Sequence, residues 1–274
     1  MKLIQAILPV AGLGTRFLPW TKVVPKELLP LGNKPIIAHL VDEALDAGIR
    51  EICFVISQGK ETIPQYFYEH PELEAELARR GKSHFLEELK RYDEVDFHVV
   101  YQKEMNGDGH AILQAKDWVK SDAVAILFGD DLIVGDKSGL AQLVQAQNMI
   151  QSDAAAYLLL EDIARTEVIH YGIVDPDMEW DAPAKNLIRI RGLVEKPKPE
   201  EAPSTFGIVG KYIVPRTTFD VLDSIEHGSH GEIRLIDALI KQLGTTDVYG
   251  CVLTGKRLDT GTPEGYKEAV KVLG

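Results

Sequence analysis

Cysteine is scarce in this chain, and long apolar runs are missing from it. The 274 residues include two cysteines, Cys53 and Cys251, too few for a disulfide framework. Cys53 lies in the apolar run EICFVIS (51–57), so we expect a buried, reduced thiol, although a single disulfide stays open. No apolar run approaches the roughly 20 residues that span a bilayer, and the first residues lack the apolar core of a signal peptide. We therefore expect a cytoplasmic protein that does not interact with membranes.

Basic residues are also few relative to acidic ones. The chain has 30 Lys and Arg against 42 Asp and Glu, which gives a formal net charge of −12 and a pI near 5.2. Because affinity for nucleic acids rests on many cations that neutralise phosphates, DNA and RNA are disfavoured as partners. A small phosphorylated ligand is still compatible with this charge, since a few local cations and a metal ion can bind it.

Repeats, low-complexity tracts and flexible linkers are absent, so we predict one domain over residues 1–274. In the first part of the chain, short apolar runs alternate with amphipathic stretches. This alternation is typical of an α/β fold with a Rossmann-like, doubly wound sheet that is mixed but mostly parallel. The predicted strands are 3–10, 51–57, 95–102, 123–128 and 154–161, and the predicted helical stretches are 35–48, 60–92 (broken at Pro71 and Gly81), 110–119 and 139–151.

The rhythm changes from about Tyr171. Three apolar stretches follow without long helices between them, which predicts a small antiparallel C-terminal subregion. These stretches are YGIVD (171–175), NLIRIRGLVEKP (186–197) and FGIVGKYIV (206–214). A further strand is predicted at 250–255, between helices at 233–243 and 263–273.

A loop rich in glycine and cations, GLGTRFLPWTKVVPKELLP (12–30), follows the first predicted strand. Ligands of open α/β sheets bind at the carboxyl ends of strands, and Gly12 and Gly14 would let the backbone approach a phosphate or a base. The residues after Gly14 exclude a P-loop, and Phe17 replaces the third glycine of a dinucleotide fingerprint. The alternative is a stiff surface loop with incidental lysines.

Polar residues follow two further predicted strands. Gln102 ends the third strand, and its amide could pair with a pyrimidine edge close to Gly107, although a turn and helix start explain this stretch equally well. Asp130 and Asp131 follow the buried strand 123–128, and Mg²⁺ prefers one or two such carboxylates with phosphates and water. A turn or helix cap is the alternative for these two residues.

Another carboxylate, Asp259, precedes the last predicted helix in the segment LDTGTPEGY (258–266). Thr262, directly before Pro263, is the better candidate for the helix N-cap. That assignment leaves the Asp259 carboxylate available for another role.

The segment AGLGTRFLPWTKVVPKELLPL (11–31) resembles the signature of the sugar-1-phosphate nucleotidylyltransferases, and the resemblance extends over almost the whole chain. It implies that the loop binds a nucleoside triphosphate and that Mg²⁺ is the cofactor. It also implies a role for each of a set of residues: catalysis by Arg16 and Lys26; nucleotide binding by Ala11, Gly12, Gly14, Thr15, Gln102 and Gly107; sugar-phosphate binding by Gly172, Glu195, Lys196 and Val209; metal binding by Asp130 and Asp259.

The resemblance also suggests a division of the chain, with a nucleotide-binding half at about 1–135 and a sugar-binding half at about 136–274. Asp108 departs from the G-L-G-H-A pattern that related uridylyltransferases often show at this point. The segment GEIRL (231–235) resembles the family's G-E-I-x-L, and we interpret it as a helix start.

Within the family, residues 70–92 resemble a helical insertion of bacterial uridylyltransferases, and thymidylyltransferases have a much shorter connection at this point. The implied reaction converts UTP and glucose 1-phosphate into UDP-glucose and pyrophosphate by in-line attack, in a homodimer or homotetramer. Three alternatives stay open: a thymidylyltransferase or a uridylyltransferase for another hexose 1-phosphate, a catalytically silent sugar-nucleotide-binding regulator, and a dinucleotide-binding oxidoreductase.

Overall fold

A nine-stranded sheet lies at the centre of the computed structural model, which describes residues 3–87, 89–226 and 231–274. Two pairs of short strands form separate two-stranded sheets. The described strands are β1 (Gln5–Pro9), β2 (Pro30–Leu31), β3 (Lys34–Pro35), β4 (Glu51–Ile56), β5 (Asp96–Tyr101), β6 (Ala123–Leu127), β7 (Asp131–Val134), β8 (Ala156–Asp162), β9 (Gly172–Pro176), β10 (Leu187–Glu195), β11 (Phe206–Pro215), β12 (Val248–Val252) and β13 (Lys256–Asp259).

Helices connect most of these strands. The described α-helices are α1 (Ile36–Asp46), α2 (Thr62–Gln65), α3 (Pro71–Arg79), α4 (Asp108–Leu113), α5 (Gly139–Ile150), α6 (Thr217–Asp223), α7 (Leu235–Gln242) and α8 (Pro263–Leu273). The Thr262 hydroxyl accepts a hydrogen bond of 3.1 Å from the Gly265 amide at the start of α8, so the predicted N-cap is confirmed.

The sheet order is β5-β4-β1-β6-β11-β8-β12-β10-β9. Strands β5, β4, β1 and β6 are parallel to one another, and β11 is antiparallel to its neighbours β6 and β8. Strands β8 and β12 are again parallel, whereas β10 is antiparallel to both β12 and β9. The predicted α/β class with a mixed sheet is confirmed. The antiparallel strands are not confined to an attached subregion, however, because β11 lies in the middle of the sheet.

Apolar side chains cover both faces of the sheet. On one face the buried core includes residues of α1, α5 and α8, and on the other face it includes residues of α4, α6 and α7. Strand β4 shows the consequence most clearly, since all residues from Ile52 to Ile56 are inaccessible to solvent. A continuous apolar run is what a strand covered on both sides requires.

Some predicted elements have different bounds in the structure. The stretch 60–92 consists of the separate helices α2 and α3 followed by short 3₁₀ turns, rather than long helices. The predicted helix 110–119 is α-helical only up to Leu113. The pairing of β7 with β13 was not predicted, and it is this pairing that brings two parts of the candidate site together.

Both cysteines are buried and free, as expected for Cys53. Burial raises the pKa of the Cys53 thiol to about 12 and that of Cys251 to about 11. Their thiols are therefore protonated at neutral pH.

Within the described parts of the chain, none of the helices combines the length and the apolar character that a bilayer span requires.

Candidate active site

The loop after β1 borders a cleft of about 380 Å³ at the carboxyl ends of the parallel strands. Ala11 and Gly12 line this cleft, and Ala11 is buried. Gly14 has a positive φ of 63°, and its carbonyl accepts a hydrogen bond of 2.9 Å from the Thr21 hydroxyl. A side chain at Gly14 would strain the backbone and crowd Thr21. Thr15 follows in a short exposed 3₁₀ turn.

The opposite wall of the cleft comes from the loop after β5. Gln102 is buried there, and its amide nitrogen donates a hydrogen bond of 3.0 Å to the Gly107 carbonyl. The same amide lies 3.2 Å from Nδ1 of His110, which holds its orientation. Gly107 adopts φ 100°, a conformation that favours glycine. The wall therefore presents one fixed amide group beside the backbone of Gly107, a suitable surface for a flat heterocyclic base.

Two carboxylates, Asp130 and Asp259, face one small space. The β7–β13 pairing aligns Asp131 with Asp259, and the Thr260 amide donates a hydrogen bond of 2.7 Å to the Asp130 carbonyl. A Cβ atom at Gly261 would lie 2.7 Å from Oδ2 of Asp130 and 3.0 Å from Oδ1 of Asp259. Only glycine leaves this space open.

The donor set suits a hard divalent cation such as Mg²⁺, which takes one or two carboxylates and completes its shell with phosphates and water. Among residues 3–87, 89–226 and 231–274, no group of three or more His, Cys, Asp or Glu side chains could hold a metal ion. Two carboxylates alone would leave the other ligand positions of such a cation to a bound ligand and to water.

Lys26 meets the first of these carboxylates. Its ammonium nitrogen lies 2.7 Å from Oδ2 of Asp130. Burial lowers the pKa of Lys26, but the attraction of Asp130 and then of Glu27 outweighs burial, so the pKa is raised. For Asp130, burial acts to raise the pKa, and the charges of Lys26 and of two arginines reverse the effect, so its pKa is lowered. Both groups are therefore charged at neutral pH.

Arg16 is exposed at the rim of the site. One of its guanidinium nitrogens lies 3.5 Å from the Gly261 carbonyl, next to the carboxylate pair. Arg16 and Lys26 are thus two cations of the same loop that reach the Asp130–Asp259 pair.

Asp131 is engaged away from the space between Asp130 and Asp259. Its carboxylate accepts hydrogen bonds from the Arg257 guanidinium at 2.5 Å and from the Gly210 amide at 2.9 Å. The Arg257 side chain also donates to the Tyr171 hydroxyl at 2.9 Å. This arginine was not singled out in the sequence, although it stands only two residues before Asp259.

The four residues expected at the sugar phosphate lie at the ends of β9 and β10 and within β11. Gly172 pairs with Glu195 across the β9–β10 ladder, and a Cβ at Gly172 would lie 3.3 Å from Oε2 of Glu195. Lys196 has a positive φ of 47°, and its amide donates a hydrogen bond of 2.9 Å to the Tyr171 carbonyl. Val209 is buried, at a point where the register between β11 and β8 shifts.

The backbone of Lys196 is strained for a residue with a side chain, and such strain persists only where the surroundings enforce it. Its side chain is 56% exposed, with the ammonium nitrogen 3.5 Å from Oε1 of Glu195. Lys196 is therefore a solvent-accessible cation held in an unusual backbone conformation beside a carboxylate.

Sequence reasoning missed a buried ion pair under the loop. Glu27 is 1% exposed, and its two oxygens lie 2.9 and 3.1 Å from Nζ of Lys60, which also donates to the Val10 carbonyl at 2.7 Å. Burial lowers the pKa of Lys60, and Glu27 opposes that effect. Since Glu27 follows Lys26 directly, the pair fixes the backbone from which Lys26 extends.

The chain is similar to known proteins over almost its full length. A family model described as nucleotidyl transferase matches residues 5–273. A UTP--glucose-1-phosphate uridylyltransferase of Pseudomonas aeruginosa is 40% identical over 273 residues, which cover 97% of this chain and 94% of that protein.

Two solved structures share the fold over almost the full length. One is a UTP-bound UGPase from Acinetobacter baumannii, with a TM-score of 0.89, 34% identity and coverage of 99% of this chain and 93% of that chain. The other is a UDP-glucose pyrophosphorylase complexed with UDP-glucose, with a TM-score of 0.85, 32% identity and coverage of 98% of both chains.

Proposed function

Because the chain belongs to the nucleotidyl transferase family, we propose that it transfers UMP from UTP to glucose 1-phosphate, giving UDP-glucose and pyrophosphate. One structural observation carries the proposal. Lys26, Asp130 and Asp259 converge beside a cleft whose far wall bears the fixed amide of Gln102. A nucleotide placed with its base at Gln102 extends its phosphates toward that cluster.

The proposed reaction is a displacement at phosphorus. A phosphate oxygen of glucose 1-phosphate attacks the α-phosphorus of UTP, a new P–O bond forms, and the bond to the bridging oxygen of pyrophosphate breaks. The attacking oxygen is already an anion, so no general base is required. Catalysis then rests on positioning and on charge stabilisation.

Each residue of the cluster has a role in this scheme. Lys26 stabilises the charge that develops on the oxygens of the transferring phosphoryl group, and Arg16 holds the departing pyrophosphate. Asp130 and Asp259 would hold Mg²⁺ in the space that Gly261 leaves open. When bound, the metal ion supplies Lewis-acid neutralisation of phosphate charge.

We assign the remaining predicted residues to binding. Ala11, Gly12, Gly14 and Thr15 approach the triphosphate through the backbone, and Gly107 lies against the base beside Gln102. For the sugar phosphate, Lys196 binds the phosphate group, and three residues contact the hexose: Gly172, Glu195 and Val209.

This division agrees with two halves of one domain. The parallel strands β5, β4, β1 and β6 would form a Rossmann-like nucleotide-binding half over about 1–135, and residues from about 136 to 274 would form the sugar-binding half. The homodimer or homotetramer and the cytoplasmic location expected from the sequence stay predictions.

The first experiment measures pyrophosphate release with Mg²⁺, crossing UTP and dTTP against three sugar 1-phosphates: those of glucose, galactose and N-acetylglucosamine. We expect the highest kcat/KM for UTP with glucose 1-phosphate. Preference for another pair would keep the reaction type but reassign the substrate. No release from any pair, by folded protein that still binds UDP-glucose, would instead support a regulatory sugar-nucleotide-binding protein.

A further inference from the structure

The segment before α7 is hydrogen-bonded to the stretch 102–110 that follows β5. This stretch contains Gln102 and Gly107, the proposed contacts of the base, and is called the base-binding wall. The Ile233 amide donates a hydrogen bond of 2.7 Å to the Asn106 carbonyl, and the Ile233 carbonyl accepts one of 3.2 Å from the His110 amide. The Leu235 amide donates to the Asp108 carboxylate at 2.7 Å. Three hydrogen bonds thus fix the segment before α7 and its first residue against the loop after β5 and the first turn of α4.

Arg234 lies within this fixed segment and extends toward the proposed sugar site. One guanidinium nitrogen lies 3.0 Å from Oε1 of Glu195, and the other two donors reach the Asp237 carboxylate at 3.1 and 3.3 Å. The side chains of Arg234, Glu195 and Asp237 are 16%, 21% and 19% exposed. Arg234 thus lies between two carboxylates in a partly buried place. Such an arrangement fixes the three side chains more strongly than a surface ion pair does.

The geometry at Glu195 gives this contact a consequence for ligand binding. Arg234 engages Oε1, whereas Oε2 is the oxygen that lies next to Gly172. Lys196 also approaches Oε1, but at 3.5 Å, compared with 3.0 Å for Arg234. Arg234 therefore holds Oε1 of Glu195, leaves Oε2 beside Gly172, and competes with Lys196 for Oε1.

We propose that Arg234 is a positioning residue for the sugar phosphate, acting through Glu195 and Lys196. It keeps Oε2 of Glu195 available to a sugar hydroxyl and the Lys196 ammonium available to the sugar phosphate. This inference rests on the proposed function, in which these two residues bind glucose 1-phosphate.

Arg234→Gln tests the proposal, with Arg191→Gln as the matched control. Arg191 lies on the same strand as Glu195 and forms an exposed ion pair of 2.9 Å with Asp175. In Arg234→Gln we expect KM for glucose 1-phosphate to rise about 10-fold or more, the loss typical of one hydrogen bond between charged groups. KM for UTP should stay within about twofold of the wild-type value, and Arg191→Gln should change neither constant.

A double-mutant cycle with Glu195→Gln separates positioning from a general structural effect. If Arg234 acts through Glu195, adding Arg234→Gln to Glu195→Gln should raise KM for glucose 1-phosphate by much less than it does alone. Arg234→Lys should give an intermediate KM, because lysine keeps the charge but loses the planar fork. Fully additive effects, an unchanged KM for glucose 1-phosphate, or a parallel rise of both KM values with a lower Tm would each overturn the proposal.

Calorimetric titration keeps this test separate from the test of the activity. Turnover by the wild-type protein decides the proposed function. Binding of UDP-glucose and of UTP decides the role of Arg234 even without turnover: the Arg234→Gln substitution should weaken UDP-glucose binding and leave UTP binding unchanged. Equal weakening of both ligands would contradict the inference.

Discussion

At the scale of single residues, the candidate site contains an ion pair in which both groups stay ionised at neutral pH. Lys26 touches Asp130, and the surrounding charges favour the ionised forms of both groups. A triphosphate that enters the cleft meets a cation that is already held in place. Preorganised charge of this kind stabilises a transition state without reorganisation during the reaction.

Lys26→Ala should lower kcat by about 10²- to 10³-fold, the typical loss when a preorganised donor to the reacting group is removed. The fold should survive but with a lower Tm, because the variant leaves the Asp130 carboxylate without its nearest cation. Steady-state pyrophosphate release and thermal unfolding of the same preparation measure the two effects. Near-normal turnover in the variant would eliminate the proposed catalytic role.

Gly261→Ala adds one methyl group in the space between Asp130 and Asp259. We expect the variant to require a much higher Mg²⁺ concentration for half-maximal activity, because the new Cβ occupies the place that the cation would take. Gly192→Ala is the control, since Gly192 lies in β10, away from the carboxylate pair, and the atoms nearest to its Cβ would be those of the Asp175 side chain, the partner of Arg191, at 3.1 Å or more. An unchanged Mg²⁺ dependence in Gly261→Ala would place the metal ion elsewhere.

At the scale of elements, a strand or helix could be predicted from the sequence wherever its own residues show an apolar pattern or a capping motif. The apolar run of β4 and the Thr262-Pro263 start of α8 are local features, and both were predicted. Strands β7 and β13 have only four residues each and contain charged side chains, so their sequences resemble loops. The central place of β11 was missed because it depends on pairing between distant segments.

The same distinction applies to the site. Residues in the glycine-rich loop stand together in the sequence, and a family signature could place them. The ion pair between Glu27 and Lys60 joins a loop to the segment after β4, so no local pattern reveals it. Arg257 and Arg234 likewise act through partners far away in the chain.

Asp108 links two elements, α4 and α7, and its titration should be visible in the stability of the protein. Burial raises the pKa of its carboxyl group from the ordinary value of 3.8 to about 6, and the Leu235 amide opposes this shift. Between these two pH values the folded protein binds more protons at this site than the unfolded chain does. The contribution of Asp108 to stability is therefore present below about pH 4 and is lost as the pH rises through 6.

Asp108→Asn should remove this contribution while keeping an oxygen that can accept the hydrogen bond from Leu235. Urea unfolding at several pH values between 4 and 7 measures it. We expect the stability of the variant, relative to the wild type, to increase as the pH rises through this window. A constant difference between the two proteins at all pH values would show that the Asp108 pKa is not raised.

At the scale of the whole molecule, the proposed ligands connect parts that are distant in the sequence. The base-binding wall follows β5, and the glycine-rich loop proposed to bind the triphosphate follows β1. The proposed sugar-phosphate residues lie in β9, β10 and β11 or directly after β10. The segment at the start of α7 contacts both the base-binding wall and Glu195. A product that carries both a base and a sugar should consequently stabilise the molecule as a unit.

UDP-glucose with Mg²⁺ should therefore raise Tm in a way that depends on the metal ion. A ligand at 100 times its Kd stabilises the folded state by about 2.7 kcal/mol. In a chain of 274 residues, that free energy corresponds to a rise of about 5 °C. Replacing Mg²⁺ with EDTA should reduce the shift strongly, because Asp130 and Asp259 would then face the diphosphate without the positive charge of a metal ion between them. Thermal unfolding with UDP-glucose, with and without EDTA, measures the effect, and glucose 1-phosphate alone serves as the reference for a ligand of the sugar side. An equal shift in EDTA would mean that the two carboxylates do not hold a metal ion against the diphosphate.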